Sequence, residues 1–252
     1  MKIKYIIFSI LMLLSFYLTD KVMIYIDNKS PLMKEIVSKT DDYNVLPVNA
    51  TISDNTIIPG INGKEINKHK SLIKMQEFGA FNENFLIYDT LKPNISLNDN
   101  KDKIIIKGNN LKRNISLILE PNETLENYLK DNNIEFTLIA NLNTDLKLNK
   151  EYINGEGDEK KFSDLNALFN KNSLSKLCLV NYSNIEMCKK KDYYIVANSK
   201  DSNNYLNLIK NIESGDIILI KKNTSLDNLK LIINEIKRQD LSIVYLSKLI
   251  SE

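Results

Sequence analysis

From Lys103 to the end of the chain, short apolar runs alternate with stretches of helical periodicity, and this alternation constrains the fold more than any other feature. The runs are IIIKG (104–108), ISLILE (115–120), IEFTLIANL (134–142), SKLCLVN (175–181), DYYIVAN (192–198), DIILIKK (216–222) and LSIVYL (241–246). They are rich in β-branched and aromatic residues and mostly continuous in their apolarity, the pattern of strands buried on both faces. Helices are predicted near 124–131, 163–170, 203–212 and 225–238. In the last, Leu226, Leu229, Ile233 and Ile236 share one face, and Thr224 with Asp227 resembles a capping box. Strand–helix alternation predicts an α/β fold: a mainly parallel sheet, open or closed into a distorted (β/α) barrel, with helices covering it.

Upstream, residues 22–108 are expected to form a small α+β region. VMIYID (22–27) reads as a strand, and Ser30 before Pro31 reads as the N-cap of a helix ending near Ser38. Short β-prone pieces follow over 47–66, then a helix over 68–78 and irregular chain to Asn98. Gly60 and Gly63 in IIPGINGKEIN mark a tight reversal; their spacing fits neither a dinucleotide-binding nor a P-loop fingerprint. No Pro/Gly/Ser-rich linker appears, so GNNLKR (108–113) is a soft boundary, and the expected divisions are 1–21, 22–108 and 109–252.

The first of these divisions reads as an export signal. Lys2 and Lys4 precede an apolar run (6–19) that ends at Asp20 and Lys21. Counted from Ile3 the run is at the short end of what spans a bilayer, and no small-x-small cleavage site follows it. The expectation is an uncleaved, single-pass anchor in the cell membrane with the bulk of the chain extracytoplasmic; a cleaved signal and a buried core helix are the alternatives. The 34 basic and 32 acidic residues are interspersed along the chain, which argues against nucleic acid as a partner. Cys178 and Cys188 are close in sequence, so outside the cell a disulfide across a short loop is expected, with two buried free thiols as the other reading. A zinc site built from these cysteines and the single His69 has the wrong spacing and one ligand too few.

Two stretches carry a family resemblance. RNISLILEPNETLENYLKDNNIEFTLIANL (113–142) resembles the opening of the NodB-like polysaccharide deacetylases, where a strand ends in an Asp-Asp-Gly motif ahead of a helix and a second strand. ESGDIILIKKNTSLDNLKLIINEIKRQDLSIVYLSKLI (213–250) resembles that family's close, in which a strand runs into a His, followed by a helix, a strand and a last short helix. The resemblance covers roughly residues 104–250. It implies a glycoside hydrolase/deacetylase barrel and a chemistry in which one Asp and two His hold a divalent metal, a neighbouring Asp is the base and a C-terminal His the acid. An open site of carboxylate and imidazole ligands activates a bound water.

Position by position, Glu120 stands at the place of the base, Pro121 at that of the metal-binding Asp, Asn122 at that of the Gly and Lys221 at that of the acid His. Residues 142–190, where the two histidines belong, contain none. The resemblance thus implies a domain without catalytic residues, metal or cofactor. Glu120, Asn122, Lys221 and Lys222 remain as candidate ligand-binding residues, against the plainer reading of solvated strand ends or an acid facing a lysine. The expected role is a glycan-binding module of the envelope or a scaffold for other envelope proteins; the alternative is a divergent deacetylase of envelope polysaccharide.

Overall fold

The structure, a computed structural model, describes residues 2–180 and 182–252. The side chains at positions 2–4 and 20, with Lys2 and Lys4 of the export pattern among them, lie outside the described residues, as does Asn181 at the end of the SKLCLVN run.

Helix α1 (Lys2–Lys29) runs on through VMIYID, which overturns the strand expected there. No Gly or Pro interrupts it, and a nucleated helix propagates through β-branched residues whose propensity penalty is only about 0.5 kcal/mol each. It stops at Ser30, whose ψ of 144° reflects the proline that follows. Ser30 Oγ accepts from the Met33 amide and caps α2 (Pro31–Ser38). Over Tyr5–Lys29, α1 is long and apolar enough to cross a membrane, with a mean hydropathy of 1.7, a criterion that an N-terminal signal sequence also meets.

The chain then forms α3 (Thr40–Tyr43), β1 (Thr51–Ser53), β2 (Thr56–Ile58), β3 (Gly63–Ile66), α4 (Lys68–Gln76), β4 (Tyr88–Leu91) and β5 (Ile104–Ile105). β3, in the stretch expected to be β-prone, pairs antiparallel with β4, which lies where irregular chain was expected. Two compact units result: Met1–Pro47 with Asn62–Leu91, and Val48–Ile61 with Lys92–Glu252. This partition by packing differs from the division expected at residue 108. β2 and β5 are parallel neighbours in the large sheet, which satisfies their backbone groups and buries Ile57 and Ile105, so their flanking segments go with the larger unit. The smaller unit has its own core of Met33, Ile36, Ile66, Leu72, Met75 and Leu86.

Gly60 and Gly63 are places of close backbone approach rather than a tight reversal. A Cβ at Gly63 would lie 2.3 Å from the Val45 carbonyl oxygen, and one at Gly60 2.3 Å from that of Val48. Each glycine adjoins an isolated antiparallel bridge, Val45–Lys64 and Val48–Ile61.

The larger unit continues with β6 (Asn114–Leu119), α5 (Glu123–Asp131), β7 (Thr137–Ala140), β8 (Glu151–Asn154), α6 (Glu159–Lys171), β9 (Leu177–Leu179), α7 (Ile185–Lys190) and β10 (Tyr194–Val196). It ends with β11 (Lys200–Asp201), α8 (Tyr205–Lys210), β12 (Ile217–Ile220), α9 (Leu226–Arg238), β13 (Ser242–Ile243) and α10 (Leu246–Ile250). The sheet order is β1-β2-β5-β10-β9-β8-β7-β6-β12-β11, with β13 also on β6, and only the β1–β2 pairing is antiparallel. The sheet curls into a half-barrel, because the chain leaving β10 crosses to the opposite flank as β11 and pairs with β12.

Side-chain parity divides the core in two. Leu117 and Leu119, Leu138, Tyr152, Ile195, Ile218 and Ile220 face outward against α5, α6 and α9. Ile118, Ile139, Ile153, Leu179, Val196, Ile217 and Leu219 face inward with Leu246, Leu249 and Ile250 of α10. Each fully buried Leu or Ile contributes roughly 1.5–3 kcal/mol. Helix α9 buries Leu229, Ile233 and Ile236 of the predicted face together with Ile232, while Leu226 at its first turn is only half-buried, and its N-cap is Ser225, not Thr224.

Cys178 on β9 and Cys188 on α7 are joined, their Cα atoms 6.1 Å apart, so the segment expected as a plain loop carries a helix. At the start of β12, Gly215 (φ +90°) gives its carbonyl to the Gly108 amide at 2.8 Å. A Cβ at Gly215 would lie 2.4 Å from the Gly108 oxygen.

Candidate functional site

Ile118 and Leu219 face the inside of the curled sheet, so two residues further on, with a period of two, Glu120 and Lys221 fall on the same face, just past the carboxyl ends of β6 and β12. The two strands are hydrogen-bonded neighbours, and the Glu120 amide donates to the Ile220 carbonyl at 3.0 Å. Lys221 Nζ lies 3.2 Å from Glu120 Oε1 and 2.9 Å from the Tyr182 hydroxyl, and that hydroxyl also donates to Glu120 Oε1. The Lys222 amide donates to Glu120 Oε2 at 2.7 Å. The Lys221 amide donates to Ser202 Oγ at 2.9 Å, which fixes the base of the lysine.

The other two predicted residues brace this cluster. Asn122 Oδ1 accepts from the Leu125 amide as the N-cap of α5, while its Nδ2 donates to the Lys222 carbonyl at 2.8 Å. Lys222 contributes its main chain, and its side chain is exposed. Tyr182 escaped sequence reasoning because it lies in irregular chain after β9. The parity of Leu177 and Leu179 placed only strand residues, and its ring packs beside the inner cluster from outside any periodic element.

The electrostatics follow from these contacts. Burial pushes the Glu120 carboxyl up, but hydrogen bonds from Tyr182, the Lys222 amide and Lys221, with the charge of Lys221, outweigh it and hold Glu120 below the usual range. For Lys221, burial works downward, and Tyr182 and Glu120 more than reverse it. Burial and the bond to Glu120 push the Tyr182 hydroxyl up, so it stays protonated. The result is an ionised carboxylate accepting three donors and an ammonium with one N–H uncommitted.

A divalent metal does not fit here. The carboxylate already holds an ammonium, Pro121 offers no side-chain ligand, and His69 lies in the other unit on α4. Among the described residues no group of three or more His, Cys, Asp or Glu side chains is placed to hold a metal. Glu120 already accepts from three donors, Tyr182, Lys221 and the Lys222 amide. The cluster can present a hydrogen-bond donor and an aromatic edge to a ligand.

No family model matches the chain. Among curated proteins, the uncharacterized protein YlxY of Bacillus subtilis (strain 168) is 36% identical over 106 residues, which is 40% of this chain and 33% of that relative's length. Among solved structures, wild-type BA3943 from Bacillus anthracis, described as a family 4 carbohydrate esterase (CE4) pseudoenzyme, aligns with a TM-score of 0.62 at 17% identity, over 89% of this chain and 96% of that one. A BA3943 mutant described as having restored enzymatic activity aligns with a TM-score of 0.61 at 18% identity, over 88% and 99% of the two chains. The curled parallel sheet, its strand order and these alignments give one conclusion: this chain has the fold of the family 4 carbohydrate esterases, the polysaccharide deacetylases, in a degenerate form with no metal-binding set among the described residues.

Proposed function

We propose that the chain is a non-catalytic, membrane-anchored protein of the cell envelope whose deacetylase-like unit binds glycan at the mouth formed by Glu120, Tyr182 and Lys221. The observation that carries this reading is the ammonium of Lys221, hydrogen-bonded to Glu120 and Tyr182, so that the residues at the places of a deacetylase's acid and base are paired with each other. A binding role agrees with the N–H that Lys221 keeps free and with the description of the similar BA3943 fold as a pseudoenzyme. The anchor in this reading is α1, apolar over Tyr5–Lys29.

Three measurements test it, the first two on the full chain in detergent. Protein purified without added metal is expected to hold no stoichiometric zinc and to release no acetate from chitin oligomers or peptidoglycan. Sedimentation with peptidoglycan is expected to retain the protein, and Glu120→Ala or Lys221→Ala to weaken retention with the melting curve preserved. A reporter fused after Glu252 should score as extracytoplasmic. Zinc at one equivalent together with acetate release would establish the divergent hydrolase instead; cytoplasmic reporter activity in intact protein would remove the envelope reading.

A further inference from the structure

A second surface of the larger unit, at the amino ends of β7 and β8 and so at the opposite end of these strands from Glu120 and Lys221, has the chemistry of a ligand site. Two depressions of about 350 and 290 Å³ share Asn149, Lys150 and Tyr245 and so form one trough past the tyrosine. Every charged side chain in its lining is already committed. Lys150 and Lys130 lie 3.1 and 3.3 Å from Glu126. Glu135 is paired with Lys248 and accepts from the Tyr245 amide at 2.9 Å. Glu151 accepts from Thr137 and from the Ser247 amide.

The uncharged groups are the reverse. Among the described residues the side-chain amides of Asn133 and Asn149, the hydroxyls of Ser173 and Ser175 and the Tyr245 hydroxyl form no hydrogen bond with the protein. Between them lie the half-buried ring of Tyr245, which has the Lys248 ammonium 5.5 Å from its centroid, and the apolar side chains of Leu174 and of Leu148, which is 78% exposed. A ligand that gains from such a lining has no net charge, alternates hydroxyls with apolar C–H faces, and is long enough to lie in both depressions. A charged ligand would have to break ion pairs, and a purely apolar one would strand the free amides. A tyrosine offers rigid apolar area and a polar tip at low entropic cost, which suits a sugar ring.

We propose that this trough is a second carbohydrate site, taking a neutral oligosaccharide across Tyr245 and Asn149, separate from the mouth at the carboxyl ends of the strands. It does not depend on whether the mouth binds glycan. Calorimetric titration of the full chain in detergent with cellohexaose tests it. The expected result is saturable binding that Asn149→Ala and Tyr245→Leu each weaken at least about tenfold, and that 0.5 M salt leaves unchanged because no charged group takes part. Asn149 is exposed and outside every helix and strand, so its variant reports on binding even if Tyr245→Leu disturbs α10. Absence of heat at millimolar cellohexaose would overturn the trough proposal and leave the mouth reading standing. So would binding that survives both variants and is lost in Lys221→Ala.

Discussion

Strand β12 is bracketed by two lysine–carboxylate clusters, one at each end, and they differ in access. Before the strand, Asp216 is fully buried: it accepts from Ser199 Oγ at 2.9 Å and the Glu213 amide at 2.8 Å, is bonded to Lys200, and lies 3.3 Å from Lys107. After it, the side chains of Glu120 and Lys221 are 15% and 25% exposed. The first cluster joins the chain that closes the sheet, through Ser199 and Lys200, to β12; its carboxylate is wholly enclosed, while its lysines are 29% and 20% exposed. The second has comparable chemistry but a carboxylate that solvent reaches. The same residue types at two ends of one strand thus divide into a structural clasp and a surface able to meet a ligand, and burial makes the division.

The largest expected effect tests the buried end. Asp216→Ala leaves two lysines and a serine facing a vacant acceptor, and losing one partner of a buried pair costs about 3–5 kcal/mol. The urea midpoint of unfolding should fall accordingly with little change in slope. A loss under about 1 kcal/mol would erase the distinction between the clusters.

A smaller loss is expected from the cross-link on the outer face of β9. Replacing Cys178 and Cys188 with alanine removes a loop closure whose sequence separation is 10, worth about 2–3 kcal/mol in the chain-entropy model. Thiol titration of denatured, unreduced protein secreted from cells should find no free cysteine. Two reactive thiols would mean that the pair is closed in the structure but not in the protein as made. Glycan retention by the mouth should survive the double replacement, since neither cysteine touches it.

At the open end the stability effect is smaller again. Glu120→Ala should cost about 1 kcal/mol or less, the range of a partly exposed pair, while glycan retention falls. Its pH dependence has a defined sign. Glu120 has a folded pKa below its unfolded value, so its contribution is full above the ordinary carboxylate range and is lost as pH drops through the lowered folded value. Lys221 and Tyr182 have raised folded values, so theirs is full below their ordinary ranges and lost as pH rises through the raised ones. Thermal melts of Glu120→Gln against the parent should differ least at the most acid pH; a constant difference across pH 2–7 would place Glu120 outside the network. The smallest effect is expected from Pro121→Asp, which restores one carboxylate: dialysed against zinc, the variant should retain no more metal than the parent, because ligands of such sites act with their supporting partners.

Much of the larger unit is legible from periodicity alone. The apolar runs become β6, β7, β9, β10 and β12, and the same alternation that separates Ile118 from Leu117 puts Glu120 and Lys221 on one face. The contacts that give the mouth its character were not legible. Tyr182 meets Glu120 from 62 residues away and Asp216 meets Lys107 across the chain, and no local pattern records such pairings. β8 was missed because EYIN is short and opens on a charge, and its pairing with β7 and β9, rather than its propensity, makes it a strand. VMIYID went the other way: strand-prone residues remain helical when they continue a helix that nothing interrupts.

The position of β6 in the sheet also sets the order in which the unit can assemble. β6 is flanked by β7, its near neighbour in sequence, and by β12, and the Lys222 amide that closes on Glu120 lies 102 residues further along the chain. During synthesis from the amino end, β6 is made early and waits with one apolar edge unpaired until nearly the whole unit has followed it. Contacts of such separation are formed late and slowly, in milliseconds to seconds for all-β domains of high contact order, and the exposed edge is open to wrong partners in the interval. Refolding of the full chain should accordingly be limited by the docking of β12 rather than by its helices, and mutations at the β6–β12 seam should slow folding more than those on α5 or α6.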